Sequence, residues 1–543
     1  MKKTAAFLSF LFFAAPLFSF DMILAGDPVL EDLRFLSLTS GRSFLSFTPP
    51  LAPAEVRRFL DSINQTDLSQ SARESYRRAR GRLAPVSRIS YSDDNFSLLF
   101  DIHSTVEAEA RFNTDISWFP RYQNVTPLIS APLRGSFMNT AQLYFEPVLA
   151  RASHRLSDDT FNTSVLPGFG HEELNREMSL RAFAAAGGNW WNFQIGRDRL
   201  FWGSGHTGSL TFSDHAPYFD FARLSVFSAN VKYSIIVNQM PLSLTQNMFP
   251  GEWWDNYPYL STHIDTDRTV LQRYFYLQRL DVRLFNRLSI GIMEGIMVGD
   301  SSFEIRYLNP IIFYHSLWAW NDFPNWPPNN GDMVGSFFSL EINWNIVRNW
   351  AVYGQFAMNE FTLPGETDGH PNAMGWMAGV QYARSFNNWG SVSFFEFVYT
   401  DPFFSILSTP YASFIQMDRA GNYYFIGLPR DTITVTAGTN FFYRNILNFT
   451  GRFSWIANGQ HNNNDETNGL TWDWERGPSA IDRRTPSGTA EHIFALSVGS
   501  GWRPYSWLSL NANITGIVVL NNNHTSGNTQ TGGQASLSVG FHY

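Results

Sequence analysis

The chain has 543 residues, 44% of them hydrophobic and 16% aromatic, with only 16% charged and a formal net charge of −8. That charged share is low against the roughly 25% of an average soluble domain, and the mildly acidic net charge does not suggest a nucleic-acid partner. With no cysteine at all, disulfide staples, thiolate metal sites and a lipoprotein anchor are excluded.

Lys2 and Lys3 precede an apolar run from Ala5 to Phe18, the pattern of an export signal over 1–19, with cleavage after Ala25 as the alternative. Across 20–85 the chain reads as a periplasmic leader. Val56, Phe59, Leu60 and Ile63 fall at helical spacing and Ser69 to Arg82 is polar and Arg-rich, which predicts two short helices, with a flexible leader as the other reading. Beyond the signal, no apolar run approaches the roughly 20 residues of a spanning helix. If 86–543 enters a membrane it must do so as strands closed into a barrel, because lipid offers the backbone no other partners.

Strand alternation supports this. Arg279, Asp281 and Arg283 share one face opposite Leu280, Val282 and Leu284, and Glu341 sits between Leu340 and Ile342. Ile433 to Tyr443, Leu508 to Val518 and Ala535 to Tyr543 each alternate over about ten residues, the length of a tilted transmembrane strand. Tight turns are expected at Asn286 and Arg287, Arg348 and Asn349, Asn387 and Asn388, Arg444 and Asn445, and Pro504 to Ser506. Leu288, Trp350, Trp389 and Trp507 follow them, as in an interface girdle. Long connections at 247–269, 318–333, 400–431, 458–489 and 521–531 are placed outside the cell. The fold class is all-β: an antiparallel transmembrane barrel of roughly eighteen strands behind a short helical segment, with residues 200–235 ambiguous.

The stretch Ile195 to Phe219, IGRDRLFWGSGHTGSLTFSDHAPYF, resembles the signature of the capsule assembly Wzi family of outer-membrane proteins. Gly196 and Arg197 match its Gly-Arg pair, Trp202, Gly203 and Gly205 its Trp-Gly-Pro-Gly turn, and Ser213, Ala216, Pro217 and Phe219 its last part. Ser204 replaces the turn proline, and Asp214 and His215 stand where asparagines are common. Tyr307-Leu308-Asn309-Pro310, read as a strand end, and the hairpin from Leu340 to Phe361 are further echoes. The resemblance implies an eighteen-stranded barrel with a periplasmic helical piece that holds capsular or other extracellular polysaccharide at the cell surface, without catalysis.

From the residues themselves, the glycines of the Trp202 turn suit a tight reversal folded into the lumen. Arg197 and Arg199 flank Asp198 and are expected to be lumen-facing arginines seeking carboxylates. Aromatic sets in the outer loops offer flat faces for sugar rings: Trp253 and Trp254; Trp318, Trp320 and Trp326; Trp472 and Trp474. Interface belts and loop packing are the competing use of the same rings. The calcium-like fragments His263 to Asp267 and Asn462 to Gly469 complete no EF-hand. No nucleophile elbow, zinc-binding pair or triad segment appears, so neither metal, cofactor nor catalytic residue is expected. The expected partners are the polysaccharide, outer-membrane lipid and the barrel-assembly machinery, which would read the C-terminal strand. A porin or solute-specific channel is the alternative, and an empty lumen at residues 198–219 would favour it.

Overall fold

The computed structural model describes residues 20–84, 87–113, 116, 126–151, 161–165, 174, 181–244, 269–299, 303–314, 334–360, 372–407, 412–417, 423–460 and 484–543. The signal expected over 1–19 lies outside them. Strand β1 is Phe96–Phe100 continued by His103–Phe112, two pieces that keep one register against β2 (Leu133–Phe137, preceded by Ile129–Ser130). There follow β3 (Ala141–Glu146), β4 (Arg181–Gly187), β5 (Trp191–Asp198), β6 (Phe219–Phe227), β7 (Val231–Gln239), β8 (Arg273–Leu284) and β9 (Leu288–Gly299). Next come β10 (Val334–Val347), β11 (Trp350–Glu360), β12 (Ala373–Phe386), β13 (Trp389–Thr400) and β14 (Thr432–Tyr443). The series ends with β15 (Leu447–Asn458), β16 (Glu491–Tyr505), β17 (Leu508–Leu520) and β18 (Thr529–His542).

Each strand pairs antiparallel with its neighbours in this series, and β18 returns to β1 with Gly533 opposite Phe112 and His542 opposite His103. The ring of eighteen strands traced among the described residues is therefore closed. Closure leaves no unpaired sheet edge, which is what a bilayer requires.

All the short turns lie at one end, and the expected ones form where Asn286, Asn349, Asn387 and Arg444 take positive φ. Asparagine tolerates that conformation better than most residues. By the short-turn, long-loop rule this end is periplasmic. Trp350 and Trp507 stand exposed beside it as a girdle. Between the ends, alternate residues face in and out. In β9, Ser289, Met293 and Met297 are buried inward, whereas Ile292 is 47% exposed on the lipid side.

Three helices fill the periplasmic mouth: α1 (Val29–Ser40), α2 (Pro53–Asp61) and α3 (Gln70–Arg82). The two expected from sequence are α2 and α3. Their starts carry recognisable caps: Glu55 accepts the Ala52 N–H at 3.0 Å, and the Ser69 hydroxyl accepts that of Ala72 at 3.3 Å. Sequence reading misses α1 because Leu30, Leu33, Phe35, Leu36 and Leu38, all buried, cover most of its circumference and leave only Glu31, Asp32 and Arg34 as a thin polar remainder. Arg82 ties the bundle together by pairing with Asp21 at 2.5 Å and Asp27 at 2.7 Å.

The helices pack on the inner wall. Their apolar core includes Ala351, Ala383 and Val392 of β11 to β13, and the Phe35 ring meets Phe442 edge-on at 5.0 Å. Backbone bonds run directly to the turns, Ser43 N–H to the Asn286 carbonyl at 2.9 Å and Asn349 N–H to that of Leu38 at 2.8 Å. One expectation fails on the outside of the wall. Tyr307 to Pro310 is not a strand end; residues 303–314 fold over the outer faces of Tyr276, Ile296 and Val298. Gln278 donates to the Ile312 carbonyl at 2.8 Å and pins this segment there.

Arg348 links barrel and helices through charge-assisted bonds to the carbonyls of Thr39, at 2.6 Å, and Asp67. Arg348→Ala is expected to loosen the helices by about 1 kcal/mol, the site being partly exposed. Limited proteolysis should then cut residues 62–69 faster while the barrel survives; an unchanged cleavage rate would refute the link.

Candidate functional site in the barrel lumen

Between β5 and β6 the chain runs through residues 199–218, and this stretch lies inside the lumen. Trp202, Leu210, Phe212, Ala216 and Phe219 are buried there against Phe275, Met293, Phe337, Met377 and Val398 of the wall. The connection 400–431, expected outside the cell, also turns inward in its described parts. Phe404, Leu407, Phe414, Ile426 and Leu428 join the same cluster, because a run this apolar needs cover that water does not give. Phe414 meets Phe337 at 5.0 Å and Phe275 at 5.3 Å, while Trp202 meets Phe212 at 5.1 Å. The result is an apolar septum inside the barrel.

The turn at Trp202 is strapped to the wall by polar groups. Gln355 of β11 donates to the Trp202 carbonyl at 2.9 Å and accepts the Leu210 N–H at 3.0 Å. Glu396 of β13 accepts the N–H groups of His206 and Thr207 at 2.8 and 3.0 Å, the Thr207 hydroxyl, and the Tyr353 hydroxyl at 2.6 Å. Gly203 has φ of 148°, and a Cβ there would lie 2.0 Å from the Gln355 amide nitrogen. From below, Arg34 of α1 donates to the Ser204 carbonyl at 3.1 Å and reaches His206 Nε2 at 2.7 Å. Helices and turn therefore hold each other inside the cylinder. A small cavity between them is lined by Arg34, Ser46, Ser204, Asp281, Glu341 and Asn343.

The remaining signature residues are placed nearby. Gly196 faces inward in β5, the Gly203 N–H bonds to the Phe47 carbonyl at 2.9 Å, and Ser213 bonds through its N–H to Ile426 at 2.7 Å. Gly205 abuts the Gly208 carbonyl and Met377, and the Pro217 carbonyl accepts Arg199 Nε at 3.2 Å. The expectation for Arg197 is reversed. Asn192, Gln194 and Asp198 are the buried, inward residues of β5, so parity turns Arg197 outward, where it grips Asp220 at 2.8 and 2.7 Å and lies over Tyr218. Asp198 instead pairs inside with Arg181 at 3.2 Å. Arg279 and Asp281 do face the lumen, and Arg279 bridges Asp281 and Glu341, each at 2.7 Å.

Trp253, Trp254, Trp318, Trp320, Trp326, Trp472 and Trp474 lie outside the described residues, as do both calcium-like fragments. Among the described residues no group of His, Asp and Glu is placed to hold a metal ion. Sequence reading overlooked Glu396 and Arg34, and met Tyr353 and Gln355 only as part of the hairpin Leu340 to Phe361. Glu396 carried a signal, a lone carboxylate in the strand run Phe394 to Val398 at inward parity; Arg34 carried none, since nothing local places α1 under the turn.

A closed barrel with periplasmic short turns, an aromatic girdle and a lumen filled from both ends defines an integral outer-membrane β-barrel of the occluded kind. Residues 130–531 match the family model described as capsule assembly protein Wzi, and the chain belongs to that family. Among solved structures it is similar to Escherichia coli Wzi, described as an outer-membrane protein involved in group 1 capsule assembly and a carbohydrate-binding β-barrel. That likeness has a TM-score of 0.57 at 14% identity over 96% of this chain and 99% of the other, and it concerns the fold. OccD3 (OpdP) of Pseudomonas aeruginosa aligns over 82% of this chain and 91% of its own, with a TM-score of 0.42 and 9% identity. Among curated proteins no match is found.

Two outcomes test the strap. Gly203→Ala is expected to destabilise the turn by roughly 1–3 kcal/mol through clash and strained φ, and Glu396→Ala to strand two buried N–H groups. Both variants should show unitary currents in planar bilayers where the parent shows almost none; silent bilayers for both would refute the septum.

His206 should make the turn sensitive to acid. Burial first, then the guanidiniums of Arg34 and Arg452, push its pKa well below the ordinary 6.5. A neutral ring is also what Arg34 needs, since guanidinium only donates. The unfolded chain thus takes up a proton below about pH 6.5 that the folded chain refuses, so stability present above that pH is lost as pH falls. Thermal unfolding between pH 7.5 and 5 should show this loss, and His206→Gln should shrink it; an equal loss in the variant would exclude His206 as its source.

Proposed function

We propose that this barrel binds and retains capsular or other extracellular polysaccharide at the cell surface, without chemical turnover. The observation that supports the reading is the septum: residues 199–218, which carry most of the signature resemblance, pack inside the lumen with the segments around Phe404 and Phe414, and a barrel so filled would do its work at its outer face. Family membership supplies the substrate class. Binding would be multivalent, with weak stacking and hydrogen-bonding contacts repeated along a polymer and strengthened by effective concentration. The pairs Trp253 and Trp254, and Trp472 and Trp474, with Trp318, Trp320 and Trp326, are the proposed stacking faces. The rest of the plan is a cleaved signal, a periplasmic helical piece that braces the septum, and a C-terminal strand ending in Phe541 and Tyr543 as the mark read by the assembly machinery.

Deleting the gene should release polysaccharide into the medium while total synthesis continues. Replacing Trp472 and Trp474 together by alanine should reproduce part of that release with normal barrel levels. Cell-bound polysaccharide unchanged in the deletion would overturn the proposal, and polymer shortened by the purified protein would overturn its non-catalytic part.

A further inference from the structure

The lipid-facing wall carries a second feature, independent of the polysaccharide reading. Across β12 to β15, Arg384 opposes Ser391, which opposes Phe441, which opposes Phe449. One step toward the membrane centre the same strands place Tyr382, Ser393, Thr439 and Gly451 in a row, and the next row holds Val380, Phe395, Ala437 and Phe453. Most outward positions near this level carry large apolar groups, but here Ser391, Ser393, Thr439 and Gly451 make a low floor. The Ser393 and Thr439 hydroxyls satisfy each other at 3.0 Å, and a Cβ on Gly451 would meet only a Thr439 methyl at 3.8 Å. Around the floor stand Phe395, Phe441, Phe449 and Phe453, each 44–49% exposed. The groove at its periplasmic end, lined by Arg384, Phe386, Trp389, Ser391, Phe441 and Phe449, measures about 600 Å³.

Its level in the bilayer is set by the fold. The periplasmic turn lies at Asn387 and Asn388, with Phe386 and Trp389 beside it, and on the other flank the girdle residue Trp350 pairs with Tyr382 while the Ala383 N–H bonds the Asn349 carbonyl, so Arg384 stands at the level of the girdle. Among the described residues no carboxylate or other acceptor takes its exposed guanidinium. An outward-facing cation at the girdle lies in the interface, within reach of the anions of the lipid headgroups. The anion present at that depth is the phosphate of a membrane lipid, which a guanidinium grips with two parallel N–H bonds.

We propose that this groove is a binding site for a glycerophospholipid of the periplasmic leaflet. The phosphate sits on Arg384, and an acyl chain lies over Ser391 and Ser393 between the phenylalanine walls. The site fixes one lipid against the sector of wall that backs Phe442, Val392 and Ala383, the residues on which the helices pack.

The full-length protein, extracted in mild detergent, is examined by native mass spectrometry with dioleoylphosphatidylglycerol added at fixed ratio. One retained phospholipid per barrel is expected. Arg384→Ala should lower its occupancy about tenfold, the scale of one charge-assisted contact, and Arg384→Lys should restore part of it. Ser391→Leu, which fills the floor without touching the charge, should lower it as well. Diolein, with the same chains but no phosphate, should not be retained. Heat-modifiable migration on gels verifies that each variant is folded. Equal occupancy in Arg384→Ala and parent, retention of diolein, or lipid A as the retained species would each overturn the proposal.

Discussion

Inside a bilayer every backbone N–H and C=O must find its partner within the protein, and for this chain the only solution is a ring in which β18 meets β1. That closure has a second consequence. A ring of eighteen strands encloses a space too wide for its own inward side chains to fill, so the chain must either leave it wet or bring further segments into it. Here both ends of the cylinder are used. The helices enter from the short-turn side and the segments around Trp202 and Phe414 from the long-loop side, and they meet at Arg34 and Ser204.

The two fillings are held by different physics. The septum is apolar and its energy is that of ring and methyl burial, which is strong but says little about register. Register comes from buried charge. Lys232 pairs with Glu55 at 2.6 Å, Arg279 bridges Asp281 and Glu341, and Glu396 collects the N–H groups of the turn. Such pairs add little net stability over apolar replacements, but each leaves an uncompensated charge when misaligned. A helix bundle or a turn shifted by one residue would break several at once. This is why a barrel with a greasy septum can still seat its plug in one position, and why polymer binding is assigned to the outer surface.

Much of the architecture was legible from local pattern alone. Alternation placed Arg279, Asp281 and Glu341 on the lumen face, and turn chemistry found Asn286, Asn349 and Asn387, because strand parity and positive φ are properties of a few adjacent residues. Where reading failed, the missing information was long-range. Arg197 and Asp198 alternate, yet which of them is inside depends on how β5 pairs with β4 and β6. Helix α1 is apolar around most of its circumference, with Glu31, Asp32 and Arg34 the exceptions, and so lacks the broad polar face that would mark it. Residues 400–431 look like an outer loop by length, and only the aromatic cluster they enter explains their content.

By itself, then, the sequence determined the class of solvent, the strand period, the turns and the family, since each depends on composition or on spacing within a short window. The tertiary structure decided that segments around Trp202 and Phe414 fill the lumen, which carboxylates hold them there, and that Arg384 stands in an outward-facing groove beside the short turns. Those depend on residues far apart in the chain, such as Arg34 with Ser204, 170 positions on, or Ser391 with Phe441 and Phe449 in one groove, being brought together. No local rule contains that distance; it is set by the closing of the ring.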